Sequence, residues 1–138
     1  MVPWLVFVRN YIYGFLKGSY FDLAHCYEDM GDFNKELSAY GQAMGYDPDD
    51  PVIHNNFALA ALKTGGFDHA VFHFEQALKL DPRNIRAMTN LATCYIEKKD
   101  FTEAEELLRR ALAIDGGFAP ARQNLEQLLK DQPQLISP

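Results

Sequence analysis

Few residues of this 138-residue chain are of a type and spacing that can do chemistry. His69 and His73 stand one helical turn apart and can present two imidazoles to a metal, but no third ligand is evident. The pattern reads as a solvated helix face rather than a zinc site. His25 and Cys26 are adjacent, so on a helix they point about 100° apart and cannot act as nucleophile and base. Asp47, Asp49 and Asp50 offer carboxylates to a cation, yet turn and cap chemistry around Pro48 and Pro51 accounts for them. There is no glycine-rich phosphate loop and no nucleophile elbow. The chain therefore reads as non-enzymatic, with no cofactor and no metal. Amide chemistry remains. Asn56, Asn90 and Asn124 recur at one interval, and a primary amide both donates and accepts. A ladder of amides can grip the backbone of an extended peptide without reading its side chains.

The elements that must position these groups follow the same interval, 34 residues. Tyr40, Phe74 and Leu108 obey it, as do Ala43, Ala77 and Ala111, Phe33, Phe67 and Phe101, and Leu23, Phe57 and Leu91. A period in this range signals a repeat architecture. One unit, Pro51 to Asn84, explains itself. Asp50-Pro51 is a helix start, a carboxylate for free N–H groups followed by a residue that lacks one. Phe57, Ala58 and Ala61 share a helical face. Gly65-Gly66 ends the helix, Asp68 is placed to cap the next, and Asp81-Pro82 stops it. Small residues stand where two antiparallel backbones must approach closely.

This pattern resembles the tetratricopeptide repeat family. Residues 17–50 carry Tyr20, Leu23, Ala24, Tyr27, Gly31-Asp32-Phe33, Tyr40, Ala43 and Pro48, and depart at Glu36, where alanine is expected. Residues 51–84 place His54 at the large packing position, as a core histidine with one satisfied nitrogen, and Ala61 in place of tyrosine. Residues 85–118 show Met88, Leu91, Ala92, Tyr95, Phe101, Ala104, Leu108 and Ala111, with Lys99 for the turn glycine and Gly116 for the closing proline. The resemblance implies an all-α, right-handed superhelix of antiparallel helix pairs, an α-solenoid with three repeats, a capping helix over 119–131 and a flexible tail over 132–138.

It also implies non-catalytic protein–protein interaction, with the first helix of each pair lining a concave groove for a peptide. The lining from the first repeat is then Phe21, Asp22, His25, Glu28 and Asp29. The second supplies Asn55, Asn56, Leu59, Leu62 and Lys63. The third supplies Arg86, Thr89, Asn90, Thr93, Ile96 and Glu97, and Gln123, Asn124 and Gln127 continue it. The family's carboxylate clamp for acidic chaperone tails is matched only at Asn56 and Arg86. Phe21, His25 and Asn90 stand in its other places, and Asp22, Glu28 and Asp29 repel a carboxylate terminus. A partner segment with a basic portion suits that end better.

The formal charge of −6 without a basic stripe argues against nucleic acid. Cys26 and Cys94 occupy equivalent places two repeats apart, too far for a disulfide, and read as small buried residues in a reducing, cytoplasmic setting. Residues 1–16 stand apart. Trp4, Phe7, Val8, Tyr11, Ile12 and Phe15 recur at helical spacing, predicting a helix over 3–16 that Gly18-Ser19 separates from the first repeat, with Ser19 capping the helix that begins at Tyr20. The run is too short to span a bilayer and lacks a signal-peptide pattern. A cap on the first repeat, a surface for homo-oligomer formation, and lodging at a membrane surface are the three readings, the last disfavoured by scarce lysine and arginine. Thr102 with Glu105 fits a capping box, and Glu105–Arg109 and Glu106–Arg110 fit helical ion pairs.

Overall fold

A computed structural model of the protein describes residues 2–136. Among them are seven α-helices and one 3₁₀ turn, with no strand: α1 (Pro3–Met30), α2 (Phe33–Tyr46), α3 (Pro51–Lys63), α4 (Phe67–Leu80), α5 (Ile85–Lys98), α6 (Phe101–Ile114), α7 (Ala119–Asp131) and the turn Pro133–Leu135. That turn lies where the sequence reads as a flexible tail, and Ser137 and Pro138 fall outside the described residues. No described helix is long and apolar enough to cross a membrane. The chain forms two compact units, one ending at His73 and the other beginning at Phe74.

In the first unit, α1 corrects the sequence reading. It runs unbroken through Gly18-Ser19, and Ser19 Oγ donates back to the Phe15 carbonyl at 2.9 Å, as a mid-helix serine does, rather than capping a new helix. Glycine inside a helix costs only about 1 kcal/mol relative to alanine. Contacts on both sides of Gly18 outweigh that. Tyr13 and Tyr20 both pack on Tyr46 of α2, with ring centroids 5.5 and 5.9 Å away, and Lys17 Nζ reaches Asp47 at 2.8 Å and Asp50 at 3.3 Å. The Asp47 hydrogen bond raises the Lys17 pKa against the opposing effect of burial.

The helix ends behave as their residues require. Gly31 takes φ 72°, its N–H donates to Glu28 O, and the Asp32 N–H donates to Tyr27 O, closing α1. Asp32 and Asp50 accept from the N–H groups of Lys35 and Val52 to open α2 and α3. Two expected caps are displaced. α4 starts at Phe67, so Asp68 sits inside its first turn, where its charge still suits the helix dipole. α6 starts at Phe101, so Thr102 is helical and Glu105 instead binds Arg109 at 2.7 Å.

The first core gathers Ala24, Ala39, Tyr40 and Ala60, with Phe21, Tyr27, Leu37 and Phe57 packed around it. Leu23 is exposed, whereas its equivalents Phe57 and Leu91 are half-buried and buried. Glu36, at the alanine position of the pattern, is only 2% exposed. Lys63 Nζ meets its two carboxylate oxygens at 3.1 and 3.2 Å and Glu28 at 2.7 Å. Burial works to lower the Lys63 pKa, but the hydrogen bonds to Glu28 and Glu36 outweigh it and hold the pKa above its usual value. The Lys63 hydrogen bond in turn lowers that of Glu28.

The second unit buries Phe74, Ala77, Met88, Leu91, Ala92, Leu108, Ala111, Leu125 and Leu128. α5 packs on both α6 and α7, and its Cys94 is buried. Its equivalent Cys26, on α1, is exposed, correcting the expectation that both thiols are covered. Burial and then Glu97 push the Cys94 thiol up to about 11. Lys99 adopts φ 68°, with the bonding of a glycine cap: its N–H donates to Ile96 O and that of Asp100 to Tyr95 O. A side chain in this conformation costs about 1–2 kcal/mol.

Urea denaturation of the full chain has two expected outcomes. Lys99→Gly stabilises by about 0.5–1 kcal/mol, the relief of the left-handed strain less the greater freedom of unfolded glycine; a loss of stability would contradict the turn geometry. Lys63→Met destabilises by about 2–3 kcal/mol by leaving the Glu36 carboxylate buried without a cation. Adding Glu36→Ala restores most of that, and a Lys63→Met chain as stable as the parent would show that the pair is not formed.

Candidate functional site

Each unit presents part of the predicted lining. On α1, Asp22, His25, Glu28 and Asp29 are exposed, and Phe21 is half-buried against Tyr40 at 5.4 Å between ring centroids. His25 Nδ1 lies 3.4 Å from Glu28. Glu28 is thus held by Lys63 and His25, and Asp22 and Asp29 are the carboxylates of this face outside that network. On α3, Asn56 is half-buried and donates to the Tyr40 hydroxyl. Burial, then the charges of Glu36 and Glu28, push the Tyr40 pKa up to about 12, so it stays a neutral phenol. Leu59 and Leu62 are half-buried beside it.

Three of the expected lining residues are placed differently. Asn55 is 8% exposed and donates to Asn56 Oδ1 at 3.3 Å, so it orients the next amide rather than facing a guest. Thr89 is 4% exposed, its hydroxyl spent on the Ile85 carbonyl at 2.8 Å. Both sit one helical step toward the core from the open face. Lys63 is at the surface but committed to Glu28 and Glu36.

The histidines also depart from expectation. His54 is buried, with both ring nitrogens engaged rather than one: Nε2 lies 2.7 Å from the Pro48 carbonyl and Nδ1 lies 2.9 Å from His73 Nδ1. His73 is therefore no solvated residue; it packs on Phe57, with centroids 4.3 Å apart. Only His69 of that helix's pair is exposed. Among the described residues no group of three or more His, Cys, Asp or Glu side chains is placed to hold a metal.

In the second unit, Arg86, Thr93 and Glu97 of α5 are exposed and Asn90 and Ile96 half-buried. Asn124 of α7 donates to Thr93 Oγ1 at 3.1 Å, and Thr93 donates to Thr89 O at 3.1 Å. Gln123 is exposed, and the exposed Gln127 donates to the Asp131 carboxylate at 2.8 Å. Between α5 and α7 opens a cavity of about 490 Å³, floored by Ile96, Phe101 and Leu128 and rimmed by Glu97, Asn124 and Asp131. Sequence reasoning missed Asp131 there, although it repeats Glu97 at the 34-residue interval.

Apart from Tyr13, which packs on Tyr46, most large apolar residues before the first repeat stand open. Trp4, Phe7, Tyr11 and Phe15 are 62, 72, 70 and 67% exposed, and Val8 and Ile12 are also exposed. At about 1.5 Å per residue α1 is about 42 Å long, twice its partner α2. The ring contacts with α2 begin at Tyr13, so the cap reading fails.

Comparison with known proteins agrees with this architecture. Family models described as tetratricopeptide repeat match residues 61–129 and 18–50. The chain is 29% identical over 101 residues to sperm-associated antigen 1 of Mus musculus, covering 73% of this chain but 11% of that protein. It is 30% identical over 84 residues to small glutamine-rich tetratricopeptide repeat-containing protein 2 of Mycosarcoma maydis, covering 61% and 24%. The chain thus spans a quarter or less of these relatives. Among solved structures it resembles the first TPR of Spaghetti (RPAP3) bound to HSP90 peptide SRMEEVD, with TM-score 0.78, 19% identity, and 83% and 91% of the two chains covered. It likewise resembles the TPR2B domain of yeast Sti1 in its pHsp70 complex, with TM-score 0.76, 24% identity, and 88% and 98% covered. The 34-residue period, the paired helices with alanines at their contacts and these matches lead to one conclusion: the chain belongs to the tetratricopeptide repeat family.

Proposed function

We propose that this chain is a non-catalytic protein-interaction module that holds an extended partner segment against the polar faces of its first-of-pair helices. The observation that carries this is the recurrence of Asn56, Asn90 and Asn124 at equivalent positions, with Asn56 fixed by Tyr40 and Asn124 by Thr93. A primary amide has two donor hydrogens and two acceptor lone pairs, so one held in place by one or two bonds keeps capacity for more, which suits it to a peptide backbone. Structural neighbours bound to HSP90 and HSP70 peptides support a peptide as the class of guest.

The guest preferred here is not an acidic tail. Phe21, His25 and Asn90 stand where the clamp of the family has its other polar and basic groups. Lys63 is neutralised by Glu28 and Glu36, and the chain as a whole carries a net charge of −6. A segment with a basic portion near Asp22 and Asp29 meets favourable potential. The two free thiols suit a reducing compartment such as the cytoplasm.

A second reading has its own observation, the exposed apolar end of α1. Only Arg9 carries charge within residues 2–16, which suits a protein partner better than a membrane surface. Self-association through Trp4, Phe7, Val8, Tyr11, Ile12 and Phe15 buries what is otherwise a large exposed patch.

Fluorescence anisotropy with labelled extended peptides tests the first reading. Basic peptides bind more tightly than peptides ending in an acidic carboxylate run, and the difference narrows with salt. Replacing Asn56, Asn90 and Asn124 by alanine weakens binding by about ten-fold or more, at about 0.5–1.5 kcal/mol per hydrogen bond, with helicity retained by circular dichroism. Unchanged affinity would remove the amide ladder. For the second reading, light scattering shows a dimer for the full chain and a monomer for the chain lacking residues 1–16 and for the full-length Phe7→Glu/Tyr11→Glu variant. A monomeric parent at 0.1 mM, on the order of a weak dimer's dissociation constant, would end it.

A further inference from the structure

The two facing imidazoles of the first unit do more than fill space. Pro48 O can only accept, so His54 Nε2 carries the hydrogen and donates to it at 2.7 Å. A neutral His54 then has its lone pair on Nδ1. His73 Nδ1 must therefore carry a hydrogen and donate across 2.9 Å. The rings stack at 29° with centroids 5.2 Å apart, and His54 is buried. One proton arrangement satisfies three elements at once: the turn before α3, α3 itself and α4. A proton added to His54 has only Nδ1 to occupy, which sets two N–H groups against each other and breaks the bond.

We propose that His54 and His73 form an acid-sensitive latch that joins α4 to α3 and to the Pro48 turn, closed while both rings are neutral and released on protonation. The groups facing it offer no compensating charge. From α4 come His69, one turn before His73, and the ring of Phe72, and from α3 comes the ring of Phe57. From the turn, Asp47 and Asp50 direct their carboxylates to Lys17 instead. With none of these groups supplying a carboxylate to it, protonation of His73 is unfavourable in the folded chain. Burial first, then His54 and His69, push the His73 pKa down from 6.5 to about 4.

Acid therefore weakens the first unit. The unfolded chain takes up the His73 proton as pH falls below 6.5, whereas the folded chain resists until about 4. Stability contributed by the closed latch is complete above pH 6.5 and is lost between those values. The residue to change is His73, because asparagine places an N–H donor where Nδ1 stands and does not titrate.

Urea unfolding of the full chain and of the His73→Asn variant, each at pH 7 and pH 5, gives the test. Lowering the pH raises the unfolding equilibrium constant of the parent about ten-fold more than that of the variant, a figure set below the full linkage value because the ring is partly solvated. Imidazole ¹⁵N spectra of the parent give an independent readout that needs no variant. At pH 7 they show His54 protonated at Nε2 and His73 at Nδ1, with His73 neutral at pH 5.5. Equal acid sensitivity of parent and variant, or His73 titrating near 6.5, would overturn the latch.

Discussion

Two helices can lie side by side only as closely as the residues between them permit, and in this chain those residues are alanines. Ala24, Ala43, Ala58, Ala60, Ala70, Ala77, Ala87, Ala92, Ala104, Ala111 and Ala121 are all fully buried. Methyl groups at a contact let helix axes come close within the usual range of about 8–10 Å, and the large side chains Tyr40, Phe74 and Leu108 are buried as well. Everything at the surface is positioned by this constraint. Asn56, Asn90 and Asn124, each half-buried, recur on α3, α5 and α7, the helices that carry the buried Ala58, Ala92 and Ala121.

Glu36 is the exception that tests the rule. It occupies an alanine position, yet the helices still pair, because Lys63 reaches in from the end of α3 to meet it. The side chain that replaces a methyl group therefore imports a charge, and that charge recruits a cation otherwise available to a ligand. A substitution in the packing layer thereby changes the electrostatics of the binding face, without any residue of that face being altered.

Much of this was legible in the sequence, for a physical reason: local signals act locally. Asp50-Pro51 opens α3, Gly31 and Gly65 supply left-handed turns, and α7 spans 119–131 as its pattern predicts. Lys99, standing where glycine is usual, adopts the glycine conformation because the repeat around it dictates the turn. What was not legible depends on distant partners. Gly18 reads as a break, but Tyr46 and Asp47, some thirty residues on, hold α1 straight through it. Asn55 and Thr89 lie a single helical step from the half-buried Asn56 and Asn90, a difference that periodicity alone does not resolve. The His54–His73 bond joins residues 19 apart whose types say nothing of each other.

The unequal fate of the two cysteines has a practical consequence. Cys26 is open to solvent on α1, whereas Cys94 is sealed in the second unit with its thiol held protonated. In the native chain an alkylating reagent finds one sulfur, and the other becomes reactive only when α5 parts from its neighbours. The molecule thus carries its own address for a single dye and, in the sulfur that stays silent, an internal gauge of how often its second half comes apart.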